Sequence, residues 1–403
     1  MGFEELRRKL EQKRSRVLLR YRYYEMKNSV FDLGISSPPE LRWMISVLGW
    51  CAKAVDTLGD RLIFRDFAND VFDLNQIYDL NNRDTLFDSA VLSALISACA
   101  FLYISPDETG FPRLQVIDGA NATGEMDPIT GLLTEGYAVL ERDEHDRVLL
   151  EAYFTPDYTA WYRDGRLERY DANPAPYPLL VPIVFRPDAK RPFGHSRISR
   201  ACMSIMASAA RTVKRSEIAA EFYSYPQKYI LGTDPTLELD KWQASMSALI
   251  NISKDEEGER PTAGQFMQQS MSPHADQLRM FAALFAGETG LTMDDLGFVT
   301  ENPSSAEAIR AAHENLRLTA RRAQRTFGRG FLNAGYLAAC MRDGYGYSRQ
   351  QLSYTVPRWE PIFEPDAAAL TLIGDGAIKM NTAVPGYITG DTLRDMTGIE
   401  GGV

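Results

Sequence analysis

One stretch limits the possible folds more than any other. From Asn302-Pro303 the chain enters Ser304-Ser305-Ala306-Glu307, in which the Ser304 side chain can accept from the backbone N–H of Glu307 and the Glu307 carboxylate can accept from the N–H of Ser304. That reciprocal pair is a helix start signal. Apolar residues then recur at Ile309, Ala312, Leu316, Ala320, Ala323, Phe327, Phe331, Ala334, Ala338 and Met341, in steps of three and four. The spacing predicts a helix with one buried face. Arg310, Arg317, Arg321, Arg325 and Arg329 occupy another face, with Arg322 beside them. A continuous helix from Ser304 to Met341 would be roughly 57 Å long, more than a small domain needs. Its apolar side is therefore expected to be completed by identical neighbours. Gly328, Gly330 and Gly335 each cost about 1 kcal/mol against Ala inside a helix, so a bend or break is expected near Gly328.

The surrounding order of elements carries a resemblance. A loop rich in Gly, Thr and Asp leads into Asn-Pro-Ser-Ser-Ala-Glu-Ala-Ile and a long arginine-bearing helix. Upstream, a helical run from Ser196 to Tyr225 is followed by Pro226 to Gly232, and downstream stands Trp359-Glu360-Pro361. In that order these segments resemble the portal proteins of tailed bacteriophages. The resemblance implies an α+β, mainly helical portal fold with wing, stem, clip and a small C-terminal region. It divides the chain into a wing at 1–193, a first stem helix at 194–225, a clip at 226–271 and a second stem helix at 272–290. A tunnel loop at 291–303, a long kinked helix at 304–343, and a wing return with a small crown-like region at 344–403 complete it.

Length and composition fit several modules. At 403 residues the chain exceeds what one core usually spans. Its apolar content of 45% and charged content of 24% are those of a globular protein. There is no apolar run of about 18 residues, so no membrane span is expected, and the basic N-terminus lacks the apolar core of a signal peptide. A cytosolic product is implied. The formal net charge of −10 argues against gripping DNA over the whole surface, but not against a channel in which a few arginines guide a duplex. Cys51, Cys99, Cys202 and Cys340 lie far apart in apolar contexts and read as buried free thiols.

In chain order, residues 1–30 predict a basic amphipathic helix with Leu6, Leu10, Val17, Leu18 and Tyr21 inward and its charges solvated. After Pro38-Pro39, helices are expected at Glu40 to Leu62 and Thr85 to Leu102, the second rich in small residues. From Phe101 to Phe185 alternating segments such as LQVID, AVLERD and YTAWYRDG predict an antiparallel sheet with hairpins. Tyr153, Phe154, Tyr158, Trp161, Tyr162 and Tyr170 are expected to cover its core rather than stack bases. Prolines 176, 178, 182, 187 and 192 suggest an extended linker rather than a strand centre. A long helix at Ser196 to about Tyr223, a short strand at QKYILG, a helix at Pro235 to Ile250 and another at Asp276 to Gly287 follow. Between Thr233 and Glu259 seven acids and two lysines give a local charge of −5.

Catalytic and metal signatures are missing. His145, His195, His274 and His313 are dispersed, and no phosphate loop, dinucleotide fingerprint, nucleophile elbow or HExxH spacing occurs. No catalytic residue, metal ligand or cofactor is therefore assigned. The resemblance instead implies a ring, usually of twelve copies, at a unique capsid vertex. Double-stranded DNA would enter through it during packaging and leave at ejection, with terminase and the head-tail adaptor docking on the clip and major capsid and scaffolding proteins around it. The subunit would be made in the host cytoplasm and end in the virion. On this view Gly297, Phe298, Val299, Thr300, Glu301 and Asn302 line the narrowest part of the channel. Gly287 and Gly290 are hinges, and Asp234, Glu238, Asp240, Asp255, Glu256 and Glu257 meet partners. Arg310, Arg317, Arg321 and Arg325 pair with neighbouring subunits or guide DNA. Two alternatives are a metal-dependent nucleic-acid-processing enzyme and an oligomeric scaffold without a channel.

Overall fold

A computed structural model describes residues 2–30, 41, 43–224, 228–231, 262–265, 270–298, 311–363 and 365–399. The fold mixes helix and sheet. The chain divides into two compact units, one of residues 1–28, 49–202 and 289–403, the other of 29–48 and 203–288.

In the larger unit, α1 (Phe3–Tyr24) leads to α2 (Trp50–Gly59), β1 (Phe64–Ala68), α3 (Leu74–Asp79) and α4 (Arg83–Ser97). Of the helix expected at Glu40–Leu62, residues 44–49 are not helical and α2 begins only at Trp50. β-branched Ile45 and Val47 followed by Gly49 make a poor helical lead-in. The helix expected to reach Leu102 stops at Ser97. Ala98 turns the chain with φ +92, its carbonyl accepts the Phe185 N–H at 2.9 Å, and Cys99 begins a strand.

The alternating region folds as expected into antiparallel sheet, but as two sheets. β2 (Cys99–Pro106) lies between β3 (Pro112–Asp118) and β9 (Leu180–Val184). A five-stranded meander joins β4 (Ala122–Met126), β5 (Leu133–Arg142), β6 (Val148–Phe154), β7 (Tyr158–Arg163) and β8 (Arg166–Ala172). Pro182 corrects the linker expectation, because it sits at the middle of β9 opposite Phe101. β9 is an edge strand, the place in a sheet where a residue without N–H is tolerated. The sheet aromatics divide: Phe154 and Trp161 are buried, whereas Tyr158 and Tyr170 form an exposed edge-to-face pair.

The long helix is α7 (Glu314–Asp343), and it reverses two expectations. Leu316, Ala320, Ala323, Phe327, Phe331, Ala334, Ala338 and Met341 are buried within the subunit, where α7 packs on β9, α3, β2, β12 (Val356–Trp359) and β3. Its apolar face is thus completed by its own chain and does not require neighbours. The helix also runs unbroken through Gly328, Gly330 and Gly335. A Cβ at Gly330 would lie 2.8 Å from Ile183, one at Gly328 3.0 Å from Pro357, and one at Gly335 3.1 Å from Leu74. These glycines admit neighbouring elements to the helix rather than break it. The interruption instead falls at His313, between the helical turn at 311–312 and Glu314.

Aromatic rings fill the junction around α7. Phe64 stacks on Phe87 with centroids 3.9 Å apart, Phe87 meets Phe331 at 4.0 Å, and the Tyr78 hydroxyl donates to the Phe331 carbonyl at 2.6 Å. Cys51, Cys202 and Cys340 are buried free thiols as expected, while Cys99 is half-buried. At the C-terminal end, α8 (Ala367–Ala383) buries only Ala377 among its residues and exposes Leu372 and Ile378. The following α9 (Gly390–Thr397) is anchored by charge: Asp395 accepts from buried Arg65 at 2.5 Å, and Asp391 lies 3.4 Å from Arg358.

The smaller unit contains most of α5 (Arg200–Ser224), the antiparallel pair β10 (Lys228–Leu231) and β11 (Thr262–Gln265), and most of α6 (Ser272–Thr289). The Thr212 hydroxyl donates to Gln277 at 3.0 Å, tying α5 to α6. The expected helix at Pro235–Ile250, the acidic residues Asp234, Glu238, Asp240, Asp255, Glu256 and Glu257, and the Ser304–Glu307 start signal lie outside the described residues. No described helix is long and apolar enough to cross a membrane.

Candidate functional site

The arginine face of α7 forms a ridge because four-residue spacing keeps Arg317, Arg321, Arg325 and Arg329 nearly in line. Arg317 is neutralised locally: its Nε and Nη2 donate to the two Glu314 oxygens at 2.7 and 2.6 Å. Such a fork fixes the guanidinium in place, and Glu314 also suits the positive end of the helix. Arg321, Arg322, Arg325 and Arg329 differ. All four are exposed, and none of their guanidinium groups makes a hydrogen bond or ion pair with a described residue.

Two grooves flank this ridge. One, of about 750 Å3, is lined by Arg321, Arg325 and Arg329 with Leu318, Pro357 and Trp359. The other, of about 380 Å3, is lined by Arg322, Arg325 and Arg329 with Pro182, Pro187 and Asn333. No acidic residue lines either groove among the described residues. Desolvation and the charge of Arg349 both press the Arg329 guanidinium downward from its ordinary pKa, as expected where cations crowd without counter-ions. Arg349 itself is held by the Thr130 carbonyl and the Asn333 side chain.

The N-terminal end of the ridge meets the base of the expected tunnel loop. Thr292 and Asp295 cap each other around a short 3-10 turn at Asp294–Leu296. The Thr292 N–H and hydroxyl donate to the Asp295 carboxylate at 2.8 and 2.9 Å, and the Asp295 N–H donates back to the Thr292 hydroxyl at 3.2 Å. The same carboxylate lies 3.4 Å from His313 Nε2 at the start of α7. Gly290 approaches Asn315 so closely that a Cβ would stand 3.4 Å from the Asn315 Cβ. Residues on either side of 299–310 are therefore fastened to each other. Burial alone would raise the Asp295 pKa, but the Thr292 donors and His313 outweigh it and hold the carboxyl below the usual range.

That balance gives a pH prediction. A depressed carboxylate contributes stability above its unfolded pKa of about 3.9 and loses it as pH falls through the lower folded value. Asp295→Asn is expected to melt below the wild type at pH 7, with the gap closing toward pH 3. A gap unchanged by acid would show that the carboxylate charge does not hold this base together.

Of the expected channel residues, Gly297 has φ +87 after the 3-10 turn and Phe298 packs edge-to-face on Trp50 at 6.5 Å. Val299, Thr300, Glu301, Asn302 and Arg310 lie outside the described residues. The two expected hinge glycines are unlike each other: Gly287 is inside α6, whereas Gly290 follows its end with φ +70. Sequence reasoning missed the Asp295–His313 contact because His313 reads as one of four dispersed histidines and no local pattern points it at Asp295. Thr292-x-x-Asp295 carried the available signal, a capping pattern outside any periodic run.

No family model matches the chain. It is similar over 398 residues, at 24% identity, to the portal protein of Mycobacterium phage D29, covering 92% of this chain and 80% of that protein. The portal protein of Mycobacterium phage L5 is 25% identical over 396 residues with the same coverage. Among solved structures, a chain from the virion of a native gene transfer agent particle aligns with a TM-score of 0.47 and 13% identity, over 87% of this chain and 90% of that one. A chain from the neck of that native particle, computed with C12 symmetry, aligns with a TM-score of 0.46 and 14% identity over the same shares.

Proposed function

We propose that this chain is the portal subunit of a tailed phage or prophage, a non-enzymatic protein that closes into a ring at one capsid vertex. The observation that carries the reading is the likeness to two mycobacteriophage portal proteins across 92% of the chain. In this role double-stranded DNA passes through the ring in packaging and ejection. Terminase and the head-tail adaptor dock on the segment holding Asp234, Glu238, Asp240, Asp255, Glu256 and Glu257. Major capsid and scaffolding proteins surround the ring, whose subunit number we take as twelve. The subunit is made in the host cytoplasm and resides in the virion.

Geometry supports the reading in two ways. A closed ring requires two different faces on each subunit to meet, and the uncompensated arginine ridge supplies one face in need of anions. A net charge of −10 supplies acids on every copy to meet it, so the ridge pairs with a neighbour. The fastened base formed by Asp295 and His313 suits a loop that must hold its place beside moving DNA, with Gly297 to Asn302 at the constriction touching phosphate without reading bases.

Negative-stain images of the purified chain are expected to show rings with a central hole; a compact monomer or a particle without a hole would overturn the proposal. Deleting Gly297 to Asn302 is expected to leave rings intact while particles fail to package or retain DNA. Monomers from that deletion would move the loop's role from the channel to assembly.

A further inference from the structure

The charges of α1 were expected to be solvated, yet in one row of them Lys9, Lys13 and Arg20 are half-buried and only Arg16 is exposed. Lys9, Lys13, Arg16 and Arg20 recur at i, i+4, i+7 and i+11, one side of the helix over about 16 Å. That side walls a cavity of about 440 Å3, closed by the α4–β2 corner at Ser97–Cys99, the segment 119–126 and the loop 190–194. Lys190 and Arg191 add two more cations to the lining. Glu125 is the only acid among the described lining residues, and Lys9 already holds it at 3.1 Å.

No described acid neutralises the remaining charge of the lining. Arg20 donates to the Ser97 carbonyl at 3.0 Å, a neutral acceptor. The side chains of Lys13 and Arg16 make no hydrogen bond or ion pair with a described residue; half-buried Lys13 has only the face of Phe193, 5.7 Å from its centre. Partial burial and the neighbouring Lys9 lower the Lys13 pKa, and an anion entering the cavity would oppose that lowering by favouring the charged ammonium. Half-burying a cation that has no counter-ion is costly, and six cations around one cavity with a single paired acid leave it strongly attractive to anions.

We propose that this cavity binds an acidic peptide segment of a partner protein. Its carboxylates lie on the α1 row and an apolar side chain enters among Leu10, Val17, Phe101 and Met126. Three features favour a peptide over nucleic acid. A duplex, whose major groove alone is about 12 Å wide, is too broad for the cavity. The ring in the lining that could stack a base, half-buried Phe193, is already covered by Lys9 and Lys13, 5.5 and 5.7 Å from its centre. Cations about 4.5 to 6 Å apart along the helix also match the spacing of carboxylates on one face of a second helix. The inference stands on the α1 cavity alone and does not depend on the ring reading.

The full chain would be titrated against a fluorescein-labelled peptide of about twelve residues repeating Glu-Leu-Glu-Glu, and against an oligothymidylate of similar length, with anisotropy as the readout. Saturable peptide binding is expected, weakened about tenfold or more by Lys13→Glu and by Arg16→Glu. Arg166→Glu, on the exposed strand β8, should leave it unchanged. Because Arg16 is exposed, its variant keeps the fold, and an unaltered melting profile would verify that. The proposal is overturned if the peptide fails to saturate, if Arg16→Glu binds it like the wild type, or if the oligothymidylate binds more tightly and loses affinity in the same variants.

Discussion

Phe331→Ala is expected to destabilise the isolated subunit by about 3–5 kcal/mol, the range for emptying a fully buried aromatic site. Phe331 is 0% exposed and meets Phe87 at 4.0 Å, while its carbonyl accepts from Tyr78. Truncation opens a hole bordered by Phe64, Phe87 and Trp359, rings too rigid to collapse into it. Leu318→Ala on the same helix is the comparison, because Leu318 is 52% exposed and should cost no more than about 0.5 kcal/mol. Urea midpoints of the two variants, taken where the chain is monomeric, measure the difference. Equal midpoints would mean that α7 does not pack within its own subunit.

Reversing two charges on the ridge, Arg321→Glu with Arg325→Glu, is expected to abolish ring formation while leaving the subunit folded. Both side chains are exposed and pair with no described residue, so the fold loses little. At a subunit contact the same change turns attraction into repulsion. One exposed pair is worth only about 0.2–1 kcal/mol, but a closed ring repeats every contact once per subunit and the penalties accumulate. Sedimentation should show monomers where the wild type shows rings. Rings that persist but no longer retain DNA would place the ridge against the duplex instead of a neighbour.

Much of the secondary structure was legible because side-chain period is a local property. Steps of three and four identified the inward face of α7 residue by residue, and alternation marked most strands between Phe101 and Phe185. The same period says only that a face is buried, and not what buries it. Length suggested that neighbouring copies would be needed, yet β9, α3 and β12 of the same chain do the covering. Gly328, Gly330 and Gly335 read as weak points by propensity, since propensity does not know that Pro357, Ile183 and Leu74 approach there. Pro182 read as linker because its edge position depends on β9 pairing with β2, about eighty residues away in sequence.

The candidate site divides along the same line. The arginine spacing was visible in the chain, whereas the absence of ion pairs from Arg321, Arg322, Arg325 and Arg329 to described residues depends on segments far away in sequence. Asp295 and His313 stand eighteen positions apart, and only folding brings them within 3.4 Å. Likewise the row on α1 is explicit in the sequence, but whether it faces water or a cavity rests on where the loop 190–194 lies. The sequence by itself determined which faces are apolar and which are charged, because that is fixed by local geometry. Only the tertiary structure decided which charges are met and which are left for another molecule, because neutralisation depends on distances between elements that no local pattern encodes.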